Sequence, residues 1–140
     1  MTKCWFDYKT VILSGASSGI GRDLAAKLIK DHGCTVIGIA RTETKLAAFK
    51  EELGAAGEKF SCYAFDVSDR DNWSNFAKDL TEKGIQPDIL INNAGVLPKF
   101  ARFENYSLEE VDSAMQVNFF SCVYSMKALM PLILRSESAS

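Results

Sequence analysis

The eight residues Ser14-Gly15-Ala16-Ser17-Ser18-Gly19-Ile20-Gly21 combine three glycines with small, hydroxyl-bearing side chains. They lie between a short apolar run and a helical pattern, where unpaired backbone amides and the positive end of a helix can hold a pyrophosphate. The spacing is GxxxGxG, one residue longer in the first gap than GxGxxG, so it is a different turn with the same physics. Three glycines also serve turns that bind nothing, since they supply positive φ and tight packing. Placement between strand and helix favours a bound dinucleotide over that plainer reading.

Twenty residues past Gly21, Arg41 stands where such a domain reads the adenosine ribose. An acid there would accept from a free 2′-hydroxyl, whereas a guanidinium pairs with a 2′-phosphate, with Thr42 and Lys45 close by to assist. Arg41 therefore predicts NADP(H) over NAD; Glu43 works against it, and a solvated arginine at a strand end is the plain alternative. Asp66 can begin a turn, and Asn92 to Gly95 can be a polar loop closing a buried strand. Asn118 falls between Met115 and Cys122 in an apolar stripe, where an amide is costly unless hydrogen-bonded. An asparagine that bonds its own helix backbone would satisfy that requirement without any function.

These residues need elements to position them. Thr10 to Ser14 (TVILS) reads as a strand and Ile20 to Asp31 as a helix closed by Gly33; Thr35 to Ala40 (TVIGIA) is a second strand, with helical spacing from Glu43 to Ala56. Phe60 to Phe65 is strand-like, Ser68 is placed to cap a helix from Asp69 to Lys83, and Asp88 to Ile91 opens a fourth strand. Strands alternating with helices imply an α/β protein with a parallel sheet wound by right-handed crossovers. Ser107 and Glu110 form a capping box for the longest helix, running to about Pro131. Val111, Met115, Cys122, Leu129 and Ile133 make one stripe on it, and Phe119, Phe120, Val123 and Leu132 cover much of the rest. A helix apolar nearly all round is buried on two sides, which predicts a homo-oligomer formed through helix 107–131.

The chain has 140 residues, 47% of them apolar, enough for one domain spanning 1–140. Sixteen basic and eighteen acidic side chains give a net charge of −2 without long runs, which argues against nucleic acid and membrane surfaces as partners. Met1 to Lys9 lacks a signal pattern, and no apolar stretch approaches the roughly 20 residues of a membrane span, so the chain reads as cytoplasmic. Cys4, Cys34, Cys62 and Cys122 lie far apart without a CxxC pair, and their spacing supports neither a zinc site nor a disulfide framework. His32, at a helix end, suits the helix dipole and receives no chemical role. Ser136 to Ser140 reads as a polar tail.

With SGASSGIG, Arg41, Asp66-Val67 and Asn92-Asn93-Ala94-Gly95 in this order, followed by Asn118, the chain resembles the short-chain dehydrogenases/reductases from about Lys9 to its end. The resemblance implies the N-terminal half of a Rossmann-like, doubly wound parallel sheet, strand order 3-2-1-4, with helices on both faces. It implies that Gly15, Gly19 and Gly21 shape the pyrophosphate site, lined by Ser17, Ser18 and Ile20. By the same resemblance Asp66 bonds the adenine amino group, Val67 flanks the ring, and Asn93, Ala94 and Gly95 lie beside the cofactor. Asn118 would kink its helix and free a carbonyl for a water of the proton relay. Ser14 stands where the family commonly has threonine, a change that keeps the hydroxyl.

The family's remaining catalytic groups, a serine and a Tyr-x-x-x-Lys pair, do not occur here. Tyr8, Tyr63, Tyr106 and Tyr124 are followed four residues on by Ile12, Val67, Glu110 and Ala128, and Lys127 is only three residues from Tyr124. The expectation is a chain cut before the fifth strand, inactive alone and with an apolar fourth-strand edge open to self-association or a complementing fragment. The leading functional expectation is an NADP(H)-dependent oxidoreductase acting on a small carbonyl or alcohol, with Leu97 to Tyr106 (including Lys99, Phe100, Arg102 and Phe103) bordering the substrate. The competing one is a non-catalytic nucleotide-binding or assembly module.

Overall fold

Alternation along the strands sends successive apolar side chains to opposite faces of one sheet, so each face needs its own helical cover. The computed structural model describes residues 4–137, and the ends of the chain beyond them, with part of the 136–140 tail, lie outside the described residues. Strands β1 (Thr10–Ser14), β2 (Thr35–Ala40), β3 (Phe60–Ala64) and β4 (Ile89–Ile91) form a parallel sheet in the order β3-β2-β1-β4. Val11 pairs in register with Val36 on one side and Ile89 on the other. The expected strand order and fold class are those observed.

Helices α1 (Gly19–His32) and α2 (Glu43–Glu52) pack Ala25, Leu28, Ile29, Leu46 and Phe49 onto the face bearing Val11, Leu13 and Val36. Helices α3 (Arg70–Glu82) and α5 (Ser121–Ile133) cover the face bearing Ile12, Ile37 and Ile39, using Trp73, Phe76, Leu80, Leu129, Leu132 and Ile133. Gly38 is required where it stands, since a Cβ there would meet the Phe60 ring at 2.3 Å.

Several local expectations are corrected. β3 stops at Ala64 rather than Phe65, and β4 begins at Ile89 because the Asp88 carboxylate caps the start of β1 by accepting from the Thr10 N–H at 2.8 Å. The helix from Glu43 ends at Glu52, and a 3₁₀ stretch, Gly54–Lys59, carries the chain into β3. Gly57 explains the change of path, since its Cα packs so near the Lys50 carbonyl that a Cβ would lie 2.4 Å from that oxygen. The cap of α3 is Asp69, whose carboxylate accepts from the Asp71 N–H at 2.8 Å; Ser68 instead donates to Asp66. A carboxylate is the stronger partner for the positive helix end.

The capping box is present, with Glu110 N–H donating to Ser107 Oγ at 3.1 Å and Ser107 N–H to the Glu110 carboxylate at 2.8 Å. It starts α4 (Leu108–Met115), which passes through a π-helical turn, Gln116–Phe120, into α5. Pro131 does not end the helix. It lies exposed inside α5, which continues to Ile133 because Leu132 and Ile133 are buried against the sheet face. Met115, Phe119, Phe120, Val123, Met126 and Met130 remain exposed on the other side of the helix.

Trp73 is fully buried, donates from Nε1 to the Val67 carbonyl at 2.8 Å, and meets Phe65 and Phe76 edge to face. Trp73→Ala is expected to destabilise the chain by about 3–5 kcal/mol in urea unfolding; a loss below about 1 kcal/mol would show that α3 is not essential to this half of the core.

Candidate functional site

At the carboxyl ends of the strands, Gly15 takes φ 71° and Gly19 φ 52°, left-handed values that bend the chain from β1 into α1. The turn is anchored by Gly15 N–H, which donates to the Ile39 carbonyl at 2.8 Å. Gly21 is buried and presses against this turn so closely that a Cβ would sit 2.1 Å from the Gly15 carbonyl oxygen. Ser18 precedes α1 with an extended backbone and no side-chain cap, and the first turn of α1 carries no acid. By contrast, α3 is capped by Asp69 and α4 by its box, and both have acids in the first turn. The N-terminus of α1 is thus small, uncapped and without negative charge, a combination that suits a phosphate.

The loop after β4 is built onto this turn. Ser14 Oγ accepts from the Asn93 and Ala94 N–H groups at 3.1 and 3.0 Å, while Asn93 Nδ2 donates to the carbonyls of Ser14 and Gly15 at 3.1 and 3.3 Å. The hydroxyl of Ser14 therefore performs the joining task. Ser125, buried on α5, donates to Asn92 Oδ1 at 2.8 Å and fixes the other end of the loop.

A cleft opens along these elements, lined by Gly15, Ser17 and Ser18 from the turn and by Arg41, Asp66 and Val67 from the ends of β2 and β3. Ala94 and Gly95 line it from the β4 loop. Ala40, Val96 and Val117 also line it and were not singled out from sequence; Ala40 and Val96 directly adjoin motif residues. Gly19, Gly21, Asn93 and Asn118 lie behind or beside the lining, and the Ile20 side chain projects 79% exposed at the start of α1.

Arg41 is exposed at the end of β2 and makes no ion pair among the described residues. Asp66 does begin a turn, accepting on Oδ1 from the Ser68 N–H at 2.9 Å and the Ser68 hydroxyl at 2.7 Å. The Ser68 N–H, more than its hydroxyl or the Arg41 charge, holds the Asp66 carboxyl below its ordinary range against the opposing effect of partial burial. The carboxylate is ionised at neutral pH and can serve as an acceptor facing the cleft.

Asn118 is not buried in the apolar stripe. It is exposed at the centre of the π turn, where its Oδ1 accepts from Val96 N–H at 2.7 Å and its Nδ2 donates to the Val96 carbonyl at 2.8 Å. Widening of the helix at Gln116–Phe120 accompanies this clamp, a common setting for π turns. Next to it, Phe103 and Tyr106 form an apolar groove with Pro98, Val111, Ala114 and Met115. Phe100 points fully into solvent, Lys99 pairs with Glu110 at 2.9 Å, and Arg102 stands beside Glu104 at 3.5 Å.

Known proteins share this fold. The family model described as short chain dehydrogenase matches residues 9–140. An NADPH-dependent pterin aldehyde reductase of Arabidopsis thaliana is 36% identical over 126 residues, covering 90% of this chain and 51% of that protein. A benzil reductase ((S)-benzoin forming) of Saccharomyces cerevisiae is 31% identical over 133 residues, covering 91% and 50%. A metagenomic short-chain oxidoreductase solved in complex with NADP superposes with a TM-score of 0.82 at 29% identity, covering 94% of this chain and 59% of that one. The chain thus spans about half the length of the curated relatives it matches. On the shared fold and the match over nearly its whole length, this chain belongs to the short-chain dehydrogenases/reductases, an oxidoreductase family.

Proposed function

We propose that this chain is the cofactor-binding half of an NADP(H)-dependent oxidoreductase that transfers hydride between nicotinamide and a carbonyl or hydroxyl carbon. The observation that carries the reading is the tight turn at Gly15 and Gly21, where a Cβ on either would clash with the chain itself, leading into an uncapped helix terminus that carries no acid. The cofactor fits these residues: its pyrophosphate would lie on the α1 terminus at Gly19, Ile20 and Gly21, flanked by Ser17 and Ser18. Arg41, without an ion pair among the described residues, would take the 2′-phosphate, with Thr42 and Lys45 near it in sequence. Asp66 would accept from the adenine amino group, with Val67 against the ring. Asn93, Ala94 and Gly95 would border the nicotinamide side.

When bound, the nicotinamide supplies or accepts the hydride. Asn118 would act by holding Val96 and keeping the helix open at the π turn, where a backbone carbonyl can orient a water for proton transfer. The apolar groove at Phe103 and Tyr106 would guide an aromatic carbonyl compound, a class in keeping with the names of the pterin aldehyde and benzil reductases. A second reading, a dinucleotide-binding or assembly module without chemistry of its own, is supported by the exposed apolar side chains Phe119, Phe120, Val123 and Met126 along the long helix. The apolar side of α4 and α5 supports self-association in either case.

Three measurements bear on these readings. In fluorescence titrations the chain should bind NADPH in preference to NADH, and Arg41→Asp should reverse the order by about 1.5–3 kcal/mol, the worth of a hydrogen bond to a charged group; equal affinities in the parent chain would remove the role given to Arg41. Incubated with NADPH and an aromatic aldehyde or diketone, the chain by itself should leave the absorbance of NADPH unchanged, and turnover would place the proton donor within these 140 residues. Light scattering should give a mass above 15.5 kDa, and a monodisperse monomer would defeat the proposed self-association.

A further inference from the structure

The family match begins at residue 9, so the turn at Cys4 to Tyr8 lies outside it and the cofactor site does not explain it. This turn folds onto the C-terminal end of α1, far along the chain from Cys4. Asp7 N–H donates to the Cys4 carbonyl at 3.1 Å, Tyr8 N–H to the His32 carbonyl at 2.9 Å, and the Cys34 thiol to the Phe6 carbonyl at 3.1 Å. Tyr8 takes φ 65°, a left-handed value that residues with a side chain rarely adopt, and its ring lies over Gly33. Several contacts therefore hold the turn in one place.

What the turn delivers is a thiol and a carboxylate beside an imidazole. A sulfur of Cys4, a carboxylate oxygen of Asp7 and a ring nitrogen of His32 lie within 4.8 Å of one another. His32 Nδ1 and Asp7 Oδ1 are 2.8 Å apart, and the other Asp7 oxygen accepts from the Cys4 N–H at 2.8 Å, which orients the carboxylate. The Phe6 ring packs against the imidazole at 4.5 Å and fixes its plane. Cys4 is exposed while Asp7 and His32 are half-buried, so the cluster opens to solvent on the thiol side. The end of α1 carries the negative pole of the helix, which favours a cation.

We propose that Cys4, Asp7 and His32 bind a divalent zinc-like ion, with water in the fourth position. Thiolate, imidazole and carboxylate are the donor set that zinc takes in tetrahedral sites, with neighbouring donors roughly 3.3–3.7 Å apart. On binding, the Cys4 thiol releases its proton to solvent, the proton that His32 Nδ1 donates to Asp7 leaves that nitrogen so that the imidazole binds as the Nε2–H tautomer, Nδ1 and Asp7 Oδ1 separate by about half an ångström, and the sulfur moves inward. The ion ties the N-terminal turn to α1 on the side of the domain away from the cofactor cleft, so the site is distinct from the proposed NADP seat.

The test is titration of the full chain, fully reduced, with cobalt(II) as a spectroscopic substitute for zinc. A near-ultraviolet thiolate-to-cobalt band is expected, abolished in Cys4→Ser and displaced by added zinc. His32→Gln should weaken cobalt binding on the order of tenfold or more, the scale for loss of even an outer partner at a metal site. Zinc should raise the melting temperature of the parent chain and leave that of Cys4→Ser, shown folded by circular dichroism, unchanged. No band in the parent chain, a band that survives Cys4→Ser, or affinity unaffected by His32→Gln would each overturn the site.

Discussion

A Cβ on Gly21 would lie 2.1 Å from the Gly15 carbonyl oxygen, and one on Gly15 would lie 2.9 Å from Asn93 Nδ2. Three chain segments meet at that spot: the end of β1, the start of α1 and the loop after β4. Their approach is close enough that the side chain of Ser14 can accept from two amides of the β4 loop. The order of strands follows from the same contact, because β4 must lie beside β1 for Asn93 to reach Ser14 and Gly15. The cleft is the space left at the carboxyl edge once those segments are joined, the usual position of ligands in open α/β sheets.

Two faces of apolar side chains support this junction. Because β1 and β2 alternate inward and outward, α1 and α2 press on one side and α3 and α5 on the other. The α5 helix has a second task, since Ser125 fixes Asn92 while the π turn before it presents Asn118 to Val96. Both ends of the β4 loop are thus held from the long helix, and its middle is held from β1. A loop tied at three places costs little further entropy when a ligand settles against it.

Strand and helix existence were legible because each follows from short-range spacing: TVILS and TVIGIA as strands, the Gly33 stop, the capping box at Ser107 and Glu110. What misled was competition between neighbours. Ser68 and Asp69 are both good caps, and the choice fell to Asp69 because Ser68 is drawn to Asp66. Pro131 signals a helix end, yet burial of Leu132 and Ile133 carries α5 past it. The apolar stripe made Asn118 look buried, whereas the widened turn brings it out to the Val96 backbone.

By itself the amino-acid sequence determined the α/β class, the parallel order expected of it, the family, and the residue types gathered at the cleft. These rest on periodicity and on glycines at fixed offsets, properties written over a few consecutive residues. Only the tertiary structure decided which of those residues face the cleft, that Ser14 is the joint between turn and loop, and that Ala40, Val96 and Val117 complete the wall. It alone brought Cys4 and Asp7 to His32, which spacing along the chain gave no reason to connect. Such meetings depend on how helix ends and loops fold back in three dimensions, and no local pattern encodes the distance between residues that are remote in sequence.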